Sequence, residues 1–438
     1  MKAIKRLACL LCVSFLLVGF LPICSHAEEG TCGDNVTWHY EKGTLTISGT
    51  GKMNNASPGH IAGIIRAPWY DLRERISTVV IEPGVTSVDS HAFYHFHYLT
   101  SVTLPDTVTA IGEGAFSECH KLRTVTLPSG ITKIEEDTFS NCSSLSQLNI
   151  PDGVTSIGND AFQGCTQLSA ISLPEGLKQL GTSAFGGCQS LESIVIPEAI
   201  VYIPDSAFAG CRALSRVTLH PNVQGIGRAA FSGCSALTSI QIPASVRKIE
   251  WDAFNACSSL REVHISDLRA WCTIQYGDSQ ANPLLNGASL YLNGEMITDL
   301  VIPEDMSYLY ACAFAGCRGL QSVTLPEGMK NVASHAFQNC TDLTSIRVPS
   351  TVTEILDSAF YGCNNLTTVY YYGTSEQLAK LRVHRNNDIL TQIPWQYANP
   401  VVYQDAMWSS VFGSWIRLGI GLLVAGACVF FTRTRWSF

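Results

Sequence analysis

The sequence predicts a mostly-β repeat solenoid built from short parallel strands, on three observations. Phenylalanine, after alanine or threonine, falls at 93, 116, 139, 162, 185, 208, 231 and 254, then at 314, 337 and 360, a period of 23 residues within each run. A fixed period of this length marks coils that bury their apolar sides only by stacking on one another. Each unit also holds two strand-sized apolar alternations separated by a proline. Finally, 46% of the 438 residues are hydrophobic and 15% charged, which suits a large core and not a disordered chain.

Taken in chain order, residues 1–27 read as a signal peptide. Lys2, Lys5 and Arg6 precede the apolar run Leu7 to Ile23, and Ser25-His26-Ala27 places small residues where a signal peptidase reads. Residues 28–78 follow as a β-rich capping segment, in which Thr44-Leu45-Thr46-Ile47-Ser48 alternates as a strand. A cap is physically required, because the first coil would otherwise show its apolar face and strand edge to water. Residues 79–266 and 303–372 are the repeats. In the unit 119–139, Leu122, Val125 and Leu127 form one strand, Pro128 turns the chain, Ile131 and Ile134 form a second, and Phe139 returns to the core.

The pattern Cys-x2-Leu-x2-Val/Ile-x-Leu/Ile-Pro, then Val-Thr-x-Ile-Gly-x2-Ala-Phe, resembles the BspA-like leucine-rich repeats of bacterial and some protist surface proteins. The resemblance covers about residues 79–372. It implies a right-handed leucine-rich-repeat solenoid. Residues 267–302, with Asp267-Leu-Arg-Ala-Trp-Cys272, Asn282-Pro-Leu and Leu290-Tyr-Leu-Asn-Gly294, resemble the longer variant unit found inside such arrays. Cys32-Gly-Asp-Asn-Val-Thr-Trp38 and Pro68-Trp69-Tyr70 resemble the segment that leads them.

Residues 373–407 are read as a C-terminal cap and juxtamembrane segment. Residues 408–432 then form one transmembrane helix: Ser410 to Phe431 is apolar apart from Arg417, and at ~1.5 Å per residue it spans a hydrocarbon core of ~30 Å. Arg433 and Arg435 follow at once, so 433–438 is expected to be a short cytoplasmic tail, with the solenoid outside the cell membrane. Three of the 28 basic residues precede residue 28 and three follow Trp408, while all 36 acidic residues lie between. That stretch carries 22 − 36 = −14, which argues against nucleic acid or polyanions as partners.

Cysteines at 119, 142, 165, 188, 211, 234, 257, 317, 340 and 363 repeat with the coils. Their α-carbons would stand ~5 Å apart with parallel Cα–Cβ vectors, which suits neither disulfide torsion nor converging zinc ligands. Buried free thiols are the expectation, with an occasional disulfide the alternative and Cys272 with Cys312 one such pair. His91, His95 and His97 are spaced as metal ligands could be, although an end repeat also diverges in this way. No cofactor motif is present: GxSxG, the Walker loop, GxGxxG and the EF-hand loop are all absent.

The first strand presents two outward columns rich in Ser and Thr, one from Ser101 to Thr368 and one from Thr103 through Thr324 to Tyr370. Arg216, Glu262, His264, Arg347 and Tyr370 interrupt them and are the candidate partner-binding residues. The reading is a non-catalytic surface protein that recognises an extracellular protein or glycan through this face. For the partner, the resemblance implies host matrix or other cells. Two alternatives stand beside it: a surface hydrolase or metal-dependent enzyme built around Asp267, Trp271, Asp278 and Asn282, and a purely structural spacer.

Overall fold

The computed structural model describes residues 28–54 and 67–397, with the short strands His60–Ile61 and Ile64–Ile65 between them. The signal peptide expected at 1–27, the membrane helix at 408–432 and the tail at 433–438 lie outside these residues. Among the described residues no helix is long and apolar enough to cross a membrane.

The chain starts as an antiparallel meander, Glu28–Thr31, Val36–Glu41 and Thr44–Gly49. Lys42 and Gly43, both at positive φ, close its two-residue hairpin, where glycine relieves the strain of a left-handed turn. Alternation buries Val36, Trp38 and Tyr40 from one strand and Leu45 and Ile47 from the next. Thr44–Gly49 then pairs in parallel with Thr78–Ile81, and Gly51–Lys52 with Val85–Val88. The meander therefore hands over to a parallel solenoid without leaving an open step.

From there each coil repeats one plan. A first strand aligns with its successor 23 residues on, as Ser193 with Arg216, and a second strand does the same, as Lys133 with Ser156. Two left-handed residues per coil make the returning turns. One precedes the Ala-Phe or Thr-Phe pair (Asp137, Asp160, Ser183) and one precedes the cysteine (Asn141, Gly164, Gly187). Glycine, asparagine and aspartate tolerate positive φ and fill many of these positions, while the coils with Ser183 or Ala229 are held there by the bonds between turns. The turns are also tied between coils: the Phe139 N–H donates to the Ala161 carbonyl at 2.9 Å.

The phenylalanines stack into a column. Centroids from Phe93 to Phe254 lie 5.2 to 5.7 Å apart with planes within 19°. All are fully buried, which contributes roughly 1.5–3 kcal/mol each from water exclusion. Trp69 heads the column, stacked on Phe93 at 5.7 Å.

The segment expected to be an inserted unit contains one lengthened coil that keeps the ladder. Ser289 aligns with Glu262 and Gln275 with Lys248, a step of 27 residues instead of 23. The hairpin of Ser289–Leu292 with Glu295–Met296 then ends that sheet, and Asp299–Val301 opens a new one toward Trp395–Tyr397. Phe314, Phe337 and Phe360 form a second column.

Candidate recognition surface

The outward side chains of the first strands are exposed through most of the N-terminal coils, including Ser101, Thr124, Gln147, Arg216 and Thr218. The structure sorts the five candidate residues into two pairs and a single residue. Glu262 and His264 lie side by side, with Nε2 3.1 Å from Oε2, and the His264 ring stacks on Tyr291 of the next coil at 4.9 Å. The Arg347 guanidinium lies 5.3 Å over the Tyr370 ring. Arg216 is exposed and in no ion pair among the described residues.

One outward position is corrected. Thr324 is buried, 5% exposed, in the register row of Val301 and Tyr370, the two residues against which Tyr372 packs. The C-terminal panel is thus an aromatic and cationic cluster and not a flat hydroxyl sheet. Tyr371 points the other way, into the core beside Trp395.

The ten repeating cysteines are buried and unpaired, as are Cys32, Cys272 and Cys312. Nine of the ten do more than fill space. Cys165 Sγ donates to the Phe139 carbonyl, 26 residues back, at 3.2 Å, and the same bond recurs from Cys119 to Cys257 and at Cys340 and Cys363. The exception proves instructive. In the lengthened coil the Asn286 amide stands in for a thiol on the Phe254 carbonyl at 3.0 Å, and Cys317, which opens the second run, has its Sγ 3.9 Å from the carbonyl of its own neighbour Arg318. Burial pushes every ladder thiol up, with Cys211, Cys257, Cys317 and Cys363 reaching about 12. A thiol held protonated in this way is neither nucleophile nor ready ligand.

His95 and His97 approach to 5.2 Å, and His97 stacks on His120 at 4.8 Å, while His91 packs against Tyr94 instead. His97 and His120 each direct Nδ1 at a backbone carbonyl, those of Glu118 and Asn141. Burial lowers the His95 pKa. No group of three or more His, Cys, Asp or Glu among the described residues could hold a metal ion.

The four residues of the enzyme alternative serve the backbone. Asp267 caps Leu268–Cys272 by accepting from the Ala270 N–H, and Asp278 accepts from the Ala281 N–H at 2.7 Å. Trp271 donates to the Ala313 carbonyl, and the buried Asn282 amide donates to the Cys312 carbonyl at 2.6 Å. These polar atoms are engaged in folding this coil, and Trp271 and Asn282 meet on one backbone carbonyl, that of Ala313. Two features escaped sequence reasoning: the thiol–carbonyl ladder, and Pro204, which stands where the coils on either side carry Gly181 and Gly227. The second was visible in principle, as a break in column composition.

A family model described as BspA type leucine rich repeat region matches in six copies, over residues 65–192, 179–273 and 287–392. Among solved structures, a leucine-rich repeat protein from Bacteroides ovatus is similar at 23% identity and TM-score 0.52, covering 84% of this chain and 100% of that chain. A leucine-rich repeat protein from Eubacterium ventriosum is 25% identical over 77% of this chain and 95% of that one, with TM-score 0.41. A leucine rich cell surface protein from Faecalibacterium prausnitzii is 22% identical over 81% and 97%, with TM-score 0.35. No curated protein matches the chain. At 23% identity the first likeness speaks for the fold alone, but the family match spans well over half of the sequence, and the thiol and phenylalanine columns are its repeat seen in three dimensions: this chain belongs to the BspA-type leucine-rich-repeat family.

Proposed function

We propose that this is a non-catalytic leucine-rich-repeat protein of the cell surface, recognising an extracellular protein or glycan through the outward face of its first strands. In this reading the apolar segment at 408–432 anchors the chain in the membrane and the meander at 28–49 caps the solenoid. The observation that carries the reading is the exposure of that face: its side chains are presented coil after coil, with Arg216 unpaired and the Glu262–His264–Tyr291 group set among hydroxyls. Such a surface spreads affinity over a broad area and needs no pocket. The commitment of Asp267, Trp271, Asp278 and Asn282 to capping and packing favours this over the enzyme alternative.

The test is capture of matrix and cell-surface ligands by cells displaying the full chain, compared with cells displaying the triple variant Arg216→Ala, Glu262→Ala, His264→Ala. Loss of capture at equal display supports the assignment. Undiminished capture sinks it.

A further inference from the structure

In several coils the second strand is tied to the one before it by a further backbone rung. The N–H groups of Gly158, Gly227, Glu250 and Gly277 donate to the carbonyls of Ile134, Ile203, Ile226 and Ile249 at 2.8 to 2.9 Å. Pro204 occupies that position in its own coil and has no N–H to give. No backbone hydrogen bond joins Gln179–Leu180 to Tyr202–Ile203, and the sheet ends between them. Leu180 is half-buried where Ile157 and Ile203 are fully buried. The two coils part into a cleft of about 380 Å³.

The lining of this cleft has a definite chemistry. The Tyr202 ring, 43% exposed, forms a flat apolar wall, because Gly225 of the next coil leaves room for it: a Cβ there would sit 2.8 Å from the ring. Ile200 and Val201 continue the wall. Lys178 and Gln179 supply donors, and the Lys178 and Leu180 carbonyls have no N–H from the next coil. Lys178 is the one charged residue in the lining. An anion would meet those carbonyls with no proton to offer them. A hydroxyl both donates and accepts, so it can serve carbonyls, amide and ammonium alike.

We propose that this cleft binds a neutral pyranose oligosaccharide, with the C–H face of one sugar ring on Tyr202 and its hydroxyls on the Lys178 and Gln179 side chains and the free carbonyls. Trp251, 57% exposed and seated over Gly277, lies two coils on, ~10 Å along the stack, within the span of a longer chain. The site is on the second strand, so it stands or falls separately from the first-strand face.

The experiment is isothermal titration of the full-length protein in detergent with cellohexaose, chitohexaose and maltohexaose. At least one should bind. Tyr202→Ala should weaken it at least tenfold. Pro204→Gly, which returns the missing N–H and lets the rung close, should weaken it severalfold with the thermal midpoint unchanged or raised, and Arg216→Ala should leave it unchanged. Binding of none of the three sugars, binding that survives both cleft variants, or Tyr202-dependent binding of gelatin peptides in place of sugars would overturn the proposal.

Discussion

Trp69 and Trp271 hold equivalent posts. Each donates its indole N–H, at 2.9 Å, to the carbonyl of the alanine preceding the first phenylalanine of a column, Ala92 and Ala313 respectively. The lengthened coil therefore does for Phe314 what the N-terminal segment does for Phe93: it starts a column. The core carries two phenylalanine columns, each with a tryptophan indole bonded at its first turn.

That relationship makes Trp271 locally indispensable. Trp271→Phe keeps an aromatic ring but removes the shorter of the two side-chain bonds to the buried Ala313 carbonyl, leaving it the Asn282 amide at 3.2 Å, at a cost of about 1 kcal/mol. Faster amide hydrogen exchange should appear in residues 303–372 and leave 93–231 unchanged, with Trp69→Phe giving the reverse. The two costs should add, since the sites share no partner. Uniform loss of protection along the chain would contradict the two-column description.

Cys165 tests the thiol ladder. Cys165→Ala removes the donor to the Phe139 carbonyl as well as the sulfur's volume, so about 1–3 kcal/mol is expected from both losses. Cys165→Ser keeps a donor and should cost less. Cys317→Ala should also cost less, because its Sγ makes no bond to the backbone of the preceding coil and lies 3.9 Å from the carbonyl of its neighbour Arg318, while Asn286→Ala, which frees the Phe254 carbonyl, should approach the cost of Cys165→Ala. Equal costs at 165 and 317, measured by denaturant unfolding, would return the cysteines to the role of plain fillers.

The period, the buried phenylalanines and cysteines and the paired short strands were legible in the sequence because identical positions in stacked coils share one environment. The bond from Cys165 to Phe139 was not legible, since it joins a side chain to the backbone of another coil and leaves no compositional trace beyond the cysteine itself. Thr324 was misplaced for a related reason: alternation points it outward, while its neighbours across the strands, Val301 and Tyr370, gather Tyr372 over that row. The five face residues were found by their departure from Ser and Thr, but sequence could not show that Glu262 and His264 pair or that Arg347 covers Tyr370.

The same thiols predict an unusual sensitivity to alkali. An unfolded thiol titrates near 9.0, whereas burial holds Cys211, Cys257, Cys317 and Cys363 near 12 and pushes Cys142, Cys165, Cys188 and Cys340 well above their ordinary value. A folded-state pKa raised above the unfolded one means that the unfolded chain releases protons first, so stability is intact below pH 9 and falls as pH rises toward 12. Each such thiol removes up to ~1.4 kcal/mol per pH unit. Ten together approach ~14 kcal/mol over about one unit, comparable with the 5–15 kcal/mol typical of a folded domain. Denaturant midpoints should therefore hold steady from pH 7 to 8.5 and collapse by about pH 10, with Cys165→Ala easing the slope by one thiol's share. At neutral pH the thirteen cysteines of residues 28–397 should be silent to Ellman's reagent until denaturant is added. Rapid labelling of the native protein, or a stability that is flat to pH 10, would show that these thiols are open to water.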